Sequence, residues 1–179
     1  SGPPVARPLV VALYRAVLQA GGHPHVTMVP DECTEIKLES AGEDQLRYQD
    51  PLDLFAVERI DVAIRVRGED NTKSLSCADP RKQALLSQAR KEHVARFMAR
   101  AGSGALRWVT TQFPCHAAAQ DAGMSLAAYE RFVFSAGKLD LDDPAAAWQE
   151  IGRKQERLVD CLNRSKEVRF TTPEGTDLT

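Results

Sequence analysis

The chain has 179 residues, 43% of them hydrophobic and 27% charged, enough to bury a core as one domain of ordinary size. Its net charge of −2 and pI near 6.1 exclude the basic face that marks a nucleic-acid binder. No apolar run reaches the ~20 residues that a bilayer crossing needs, and the opening SGPPVARP lacks the basic flank and apolar core of a secretory signal.

The four cysteines, Cys33, Cys77, Cys115 and Cys161, are widely spaced and form no CxxC pair. That spacing, without an export signal, reads as reduced thiols in a cytoplasmic protein.

The first predicted element is a helix over Pro8–Ala20, with Leu9, Val10, Leu13, Val17 and Leu18 at helical spacing and Gly21-Gly22 as its stop. A short β-branched run, His25 to Val29, then reads as a strand closed by Pro30. A helix followed by a buried strand is half of a βαβ unit, so a strand is expected ahead of that helix. Its absence should leave an unpaired edge beside His25–Val29. Residues Asp31 to Glu58 are expected to form two or three short helices with a breaker at Asp50-Pro51. Asp61–Arg67 is the second predicted strand, with Val62, Ile64 and Val66 on one side and Arg65 and Arg67 on the other.

Asp79-Pro80 has the form of an N-cap and first helical residue, and one long helix is predicted from there to Gly102. Ala105–Thr111 is the third strand. Pro114 opens a short alanine-rich helix that Gly123 stops, and Ser125 caps the next one. Asp143-Pro144 repeats the Asp-Pro start for a helix of about five turns, and Glu167–Thr172 is the last predicted strand. Strands alternating with helices imply an α/β fold. The expected form is a mostly parallel sheet with helices on both faces, Rossmann-like and three-layered, lacking its first strand. Without repeats or long linkers, residues 1–179 are expected to form a single domain.

A search for chemistry finds little. His23 and His25 flank Pro24, and two histidines two apart need a third ligand from elsewhere to chelate a metal. His93 lies on the apolar stripe of the long helix, where a hydrogen-bonded boundary histidine is expected. His116 adjoins Cys115, but neighbours on a helix diverge by about 100°, which argues against a dyad. Gly102-Ser103-Gly104 precedes a strand, whereas a dinucleotide fingerprint follows one. Asp140, Asp142 and Asp143 lie ahead of a helix, where capping accounts for Asp143. Thr110 and Thr111 occupy a strand's carboxyl end, where open α/β sheets tend to bind ligands. No HExxH, GxSxG or Walker pattern occurs. No residue is assigned a catalytic, cofactor-binding or metal-binding role.

The stretch from Arg107 to Trp148 is more specific than its chemistry. It runs through Arg107-Trp108-Val109, Thr111-Gln112-Phe113-Pro114, Ala122-Gly123-Met124-Ser125, Tyr129 and Phe132, Leu139-Asp140, and Asp143-Pro144 with Trp148. This block resembles the signature region of aminopeptidase T and S type enzymes, family twenty-nine of the metallopeptidases. The turn Ala20-Gly21-Gly22-His23-Pro24 and the closing Gly175-Thr176-Asp177-Leu178 fit the same family.

The resemblance implies an amino-terminal α/β domain followed by a carboxy-terminal catalytic domain. The second domain would hold two divalent metal ions, zinc, cobalt or magnesium, and metal-bound water would release amino-terminal residues from peptides. It further implies a homodimer whose amino-terminal domain shapes the space around the active site. The chain is therefore expected to be the scaffold of a metallo-aminopeptidase that stops before its metal ligands and is inactive alone. Peptides and the catalytic domain are the expected partners, with no nucleic acid and no membrane. A free-standing α/β module for small-ligand binding or dimerisation is the alternative.

Overall fold

A computed structural model describes residues 1–179. Helix and strand are mixed, with a small parallel sheet, and the chain divides into two compact units, Ser1–Tyr129 and Glu130–Thr179.

In the first unit a single 3-10 turn, Pro4–Ala6, leads into α1 (Arg7–Gln19). Three short helices follow: α2 (Asp31–Ser40), α3 (Glu43–Arg47) and α4 (Pro51–Arg59). The breaker at Asp50-Pro51 is the N-cap of α4, where the Asp50 carboxylate accepts a 2.8 Å hydrogen bond from the Leu52 N–H. Strand β1 (Val62–Arg67) pairs in parallel with β2 (Arg107–Gln112), with Val62 opposite Arg107 and Arg67 opposite Gln112.

Between these strands the expected single helix is two, α5 (Pro80–Ala89) and α6 (Lys91–Gly102). At Arg90 (φ −85°, ψ −3°) the N–H turns back to the Ser87 carbonyl, a tightened i to i+3 turn that ends the α-helical ladder. Two different partners account for the bend: α5 packs on α3 and α6 packs on α4. A continuous apolar stripe in sequence does not reveal that its two halves face different neighbours. The unit closes with α7 (His116–Asp121) and the start of α8 (Leu126–Ala136), joined through Gly123 at φ +65°. Ser125 Oγ caps α8 by accepting from the Ala128 N–H.

The strand expected at His25–Val29 is reduced to one rung. Met28 forms an isolated parallel bridge with Gly2, whose N–H donates to the Thr27 carbonyl at 3.2 Å. On its other side this two-residue lane bonds to β1. The Ser1 nitrogen donates to the Ile64 carbonyl, and the Val66 N–H donates to the Ser1 carbonyl, both at 2.8 Å. Ser1 and Gly2 thus fill, over one rung, the gap that sequence leaves beside His25–Val29. Of the five residues from His25 to Val29, Met28 alone is paired in a bridge. A Cβ on Gly2 would meet Val66 Cβ at 3.1 Å and Val10 Cγ2 at 3.2 Å, so glycine lets the lane lie this close without either valine shifting. Beneath it Ala6, Val10 and Val66 form the core cluster, flanked by Leu9, Leu13, Met28 and Phe113.

Two cations brace this unit through backbone carbonyls. Lys82 Nζ donates to the Leu38 and Glu39 carbonyls at 2.8 and 3.0 Å, at the carboxyl end of α2, where a positive charge complements the helix dipole. Arg100 Nη1 donates to the Val57 and Ile60 carbonyls at 2.6 and 2.8 Å, and its Nη2 to the Ala105 carbonyl at 3.2 Å. The Arg100 guanidinium is half-buried, and Arg96, one turn earlier, pairs with Glu58 and Glu92.

The second unit carries the end of α8, then α9 (Pro144–Arg164), 21 residues long. The Asp143 carboxylate caps α9 by accepting from the Ala146 N–H at 2.9 Å. The segment Glu167–Thr172 is not a further strand of the parallel sheet. Only Phe170–Thr171 (β3) is extended, paired antiparallel with β4 (Asp177–Leu178) in a hairpin. Gly175 at φ +99° supplies the tight turn, and the Thr172 N–H bonds to the Thr176 carbonyl. This local closure satisfies the strand's bonds six residues downstream.

The chain exposes 13497 Å². A monomer of 19.7 kDa is expected to expose about 8,600 Å², and about 10,000 Å² if the two units count as separate globules. Large apolar side chains make up part of the excess, among them Leu52, Phe55, Phe132, Leu139, Leu158 and Phe170.

Because three carbonyls depend on one guanidinium, Arg100→Met is expected to lower stability by about 2–3 kcal/mol, read from the midpoint of urea unfolding. Arg100→Lys should recover only part of that loss, since an ammonium lacks the planar fork that spans both strand approaches.

Candidate functional site

The residues singled out by sequence do not converge. His23 and His25 are exposed on the connection after α1. His93 stacks on Phe97 at 6.5 Å between ring centroids, and Phe97 meets the Trp108 indole edge-on at 6.0 Å. His93 is therefore part of an aromatic row between α6 and β2, with stacking as its contact. Cys115 is buried as the N-cap residue of α7, whereas His116 is exposed, so the two side chains diverge.

Thr110 and Thr111 are both exposed on β2. Gly102 ends α6, and Gly104 takes φ +77° in the turn before β2, a geometry that explains the glycine without a phosphate. Asp140 and Asp142 are exposed, and Asp143 is committed to capping α9.

No group of three or more His, Cys, Asp or Glu side chains is placed to hold a metal ion. A cleft of about 260 Å³ lies between α2 and α5, lined by Glu35, Leu38, Glu39, Cys77, Asp79 and Lys82. Asp79 there caps α5 through the Arg81 N–H at 2.8 Å, and Lys82 is held by the two α2 carbonyls. Two of the cleft's charged groups, Asp79 and Lys82, thus serve helix ends. All four cysteines are free, with Cys33, Cys77 and Cys161 exposed. No helix is long and apolar enough to cross a membrane.

The sequence block from Arg107 to Trp148 has a different character from a reaction centre. Arg107, Trp108 and Val109 start β2, and Phe113 packs against the core cluster. Gly123 supplies the left-handed turn into α8. Trp148 Nε1 donates to the Gly137 carbonyl at 3.0 Å, tying α9 to the turn that follows α8. In that turn Lys138 adopts φ 62° while the Leu139 N–H reaches back to the Phe134 carbonyl at 2.8 Å, a helix stop that usually selects glycine. Gly175, Thr176, Asp177 and Leu178 form the terminal hairpin. Each of these segments fixes backbone.

The whole chain, residues 1–179, matches the family model described as Thermophilic metalloprotease (M29). The chain belongs to this family of metallopeptidases, which comprises the aminopeptidase T and S type. No curated protein matches it. Metallopeptidases use divalent metal ions, and the donor set of this chain does not fit such a centre. Its two closest histidines in sequence lie exposed on one connection, and Asp50, Asp79 and Asp143 are engaged as helix caps.

Arg100 and Lys82, the two cations that organise the first unit, carry no signal in sequence. Their acceptors are main-chain carbonyls roughly forty residues away in sequence, and no side-chain pattern marks a carbonyl.

The electrostatics of the hairpin give a test. Arg169 Nε and Nη2 donate to the two Asp177 carboxylate oxygens at 2.6 and 2.5 Å, and this holds the carboxyl below its ordinary value. A carboxylate whose folded pKa is depressed stabilises the fold above its unfolded value and loses that contribution as pH falls through the folded value. The hairpin should therefore keep its ion pair somewhat below the usual aspartate range. In Arg169→Ala, the Asp177 titration followed by NMR is expected to move back up toward the ordinary value.

Proposed function

We propose that this chain is the amino-terminal scaffold domain of a metal-dependent aminopeptidase, which removes amino-terminal residues from peptides. Membership of the M29 family carries the reading. The scaffold role draws support from two physical features. The donor groups are dispersed or spent on helix caps, and the exposed surface exceeds that of a self-sufficient monomer by thousands of Å². A domain that leaves so much apolar surface in water is built to be covered by more protein.

In this reading the two divalent ions, zinc, cobalt or magnesium, are held by a carboxy-terminal catalytic domain, and the present residues contribute no ligand. The partners are peptide substrates, that catalytic domain and a second subunit in a homodimer. The parallel β1–β2 pair, extended by the Gly2–Met28 rung, belongs to a Rossmann-like three-layer sheet with helices on both faces. Three exposed free thiols suit a reducing, cytoplasmic location. The alternative is a free-standing module for small-ligand binding or dimerisation, with Thr110 and Thr111 exposed on β2 as its candidate ligand contacts.

The chain by itself is expected to release no product from an aminoacyl nitroanilide with cobalt, zinc or magnesium present, and to bind none of these ions tightly at stoichiometric amounts. Metal-dependent turnover, or one or two ions per chain lost on changing His23 and His25, would overturn the scaffold role. The full-length enzyme is expected to cleave the same substrate and to stop when its metal is chelated.

A further inference from the structure

The register of the parallel pair gives its two faces different characters. Val66 and its partner Thr111 share one face, where Val66 packs into the core cluster with Ala6 and Val10. Successive side chains alternate between faces, so the other face carries Arg65 opposite Thr110 and Arg67 opposite Gln112. These four positions lie at the carboxyl ends of β1 and β2, the end at which open α/β sheets take their ligands.

Arg65 and Arg67 are about 7 Å apart along the strand, and both are exposed. Neither forms an ion pair, although Glu69 and Asp70 follow directly in the loop. Strand β2 supplies no counter-charge. Thr110 is neutral, and the Gln112 amide nitrogen donates to the Phe113 carbonyl at 3.3 Å. Elsewhere in the same unit Arg96 and Arg100 are engaged by carboxylates or carbonyls. Two guanidiniums side by side on one strand repel each other unless an anion lies between them.

We propose that Arg65 and Arg67 form a carboxylate-binding site, with the Thr110 hydroxyl as a third donor, and that its ligand is the carboxyl terminus of a peptide. The choice of a peptide rests on the aminopeptidase reading above.

The ligand follows from charge, shape and size. The site brings two positive charges and no negative one, so its complement is an anion. Each guanidinium presents a planar fork that matches the two oxygens of a carboxylate, and a threonine hydroxyl can donate to the same group. The patch measures about 7 by 5 Å between backbone positions, room for one carboxylate. A peptide shortened from its amino terminus keeps its carboxyl terminus until the last bond is cut, so the group is present on each successive substrate. Register also separates the two threonines, since Thr111 lies on the face of Val66.

The test is an NMR titration of the 179-residue chain with trialanine, trialanine amide and inorganic phosphate, each to about 10 mM, a range suited to a small exposed site. Trialanine is expected to shift the Arg65 and Arg67 Nε–H signals and the Thr110 amide with a Kd of about 1 mM. The amide, which differs only at its carboxyl end, is expected to bind roughly tenfold more weakly. Arg65→Gln with Arg67→Gln changes two exposed side chains and is expected to abolish the trialanine shift at Thr110 while leaving signals remote from the site in place. Equal binding of trialanine and its amide, or a shift that persists in the double variant, would overturn the site. Phosphate binding as tightly as trialanine would overturn the peptide as its ligand. An aminoacyl nitroanilide has no carboxylate, so its turnover by the full-length enzyme reports on the aminopeptidase reading independently of this site. Turnover without trialanine binding here would sink the site alone, and absence of turnover would sink the reading beneath it.

Discussion

Arg100 ties together the pieces that have to be placed before the sheet can exist. Its guanidinium holds the Val57 and Ile60 carbonyls, at the end of α4, and the Ala105 carbonyl, just ahead of β2. Strand β1 begins at Val62 and β2 at Arg107, so one planar cation fixes where both strands start. Their register follows directly, with the Arg107 N–H donating to the Asp61 carbonyl at 3.0 Å and Val62 opposite Arg107. Parallel strands have no hairpin to align them and must be set by what joins their ends. Here α6 performs that task, held to α4 by Arg96 on one turn and by Arg100 on the next. The charge also sits at the carboxyl end of α4, where the helix dipole favours it.

Most of what the sequence could reveal was local. The Asp-Pro starts at Asp79 and Asp143 each became a side-chain cap with Pro at the first helical turn, and the breaker at Asp50-Pro51 proved to be a third. Gly123, read as a helix stop, became a left-handed turn residue, and β1 and β2 fell within a residue or two of their predicted limits. What was not legible depends on tertiary context. The break at Arg90 arises because α5 and α6 have different neighbours, and a hydrophobic repeat does not say which neighbour each turn meets. The strand predicted over Glu167–Thr172 has the right side chains, but the turn at Gly175 gives its backbone a nearer partner than the sheet. The cations of Arg100 and Lys82 read as ordinary surface charges until the carbonyls they serve are brought near.

The candidate site shows a sharper separation. The Arg107–Trp148 block identifies the family with high specificity, yet its residues start a strand, pack a core, turn a helix end or cap the next. Trp148 illustrates this: one edge of its indole ties down the Gly137 carbonyl, while half of its surface remains exposed. A motif can thus be diagnostic of an enzyme because it preserves the shape that presents the chemistry. Family membership and the location of the chemistry are separate questions, and the residues of this chain answer only the first.

The single rung made by Ser1 and Gly2 has a consequence for the order of folding. These residues bond at once to Thr27 and to Ile64 and Val66, partners that lie about 26 and 63 positions along the chain. Neither side of the slot exists until β1 has formed and the segment around Met28 has come alongside it. Closing so large a loop is an entropic cost that only the finished neighbours can repay, so the lane docks late. It is then held by three main-chain bonds, far fewer than secure β1 to β2, and its amides should exchange with solvent well before those of the paired strands. The rung at Gly2 and Met28 thus joins segments that only tertiary packing brings together.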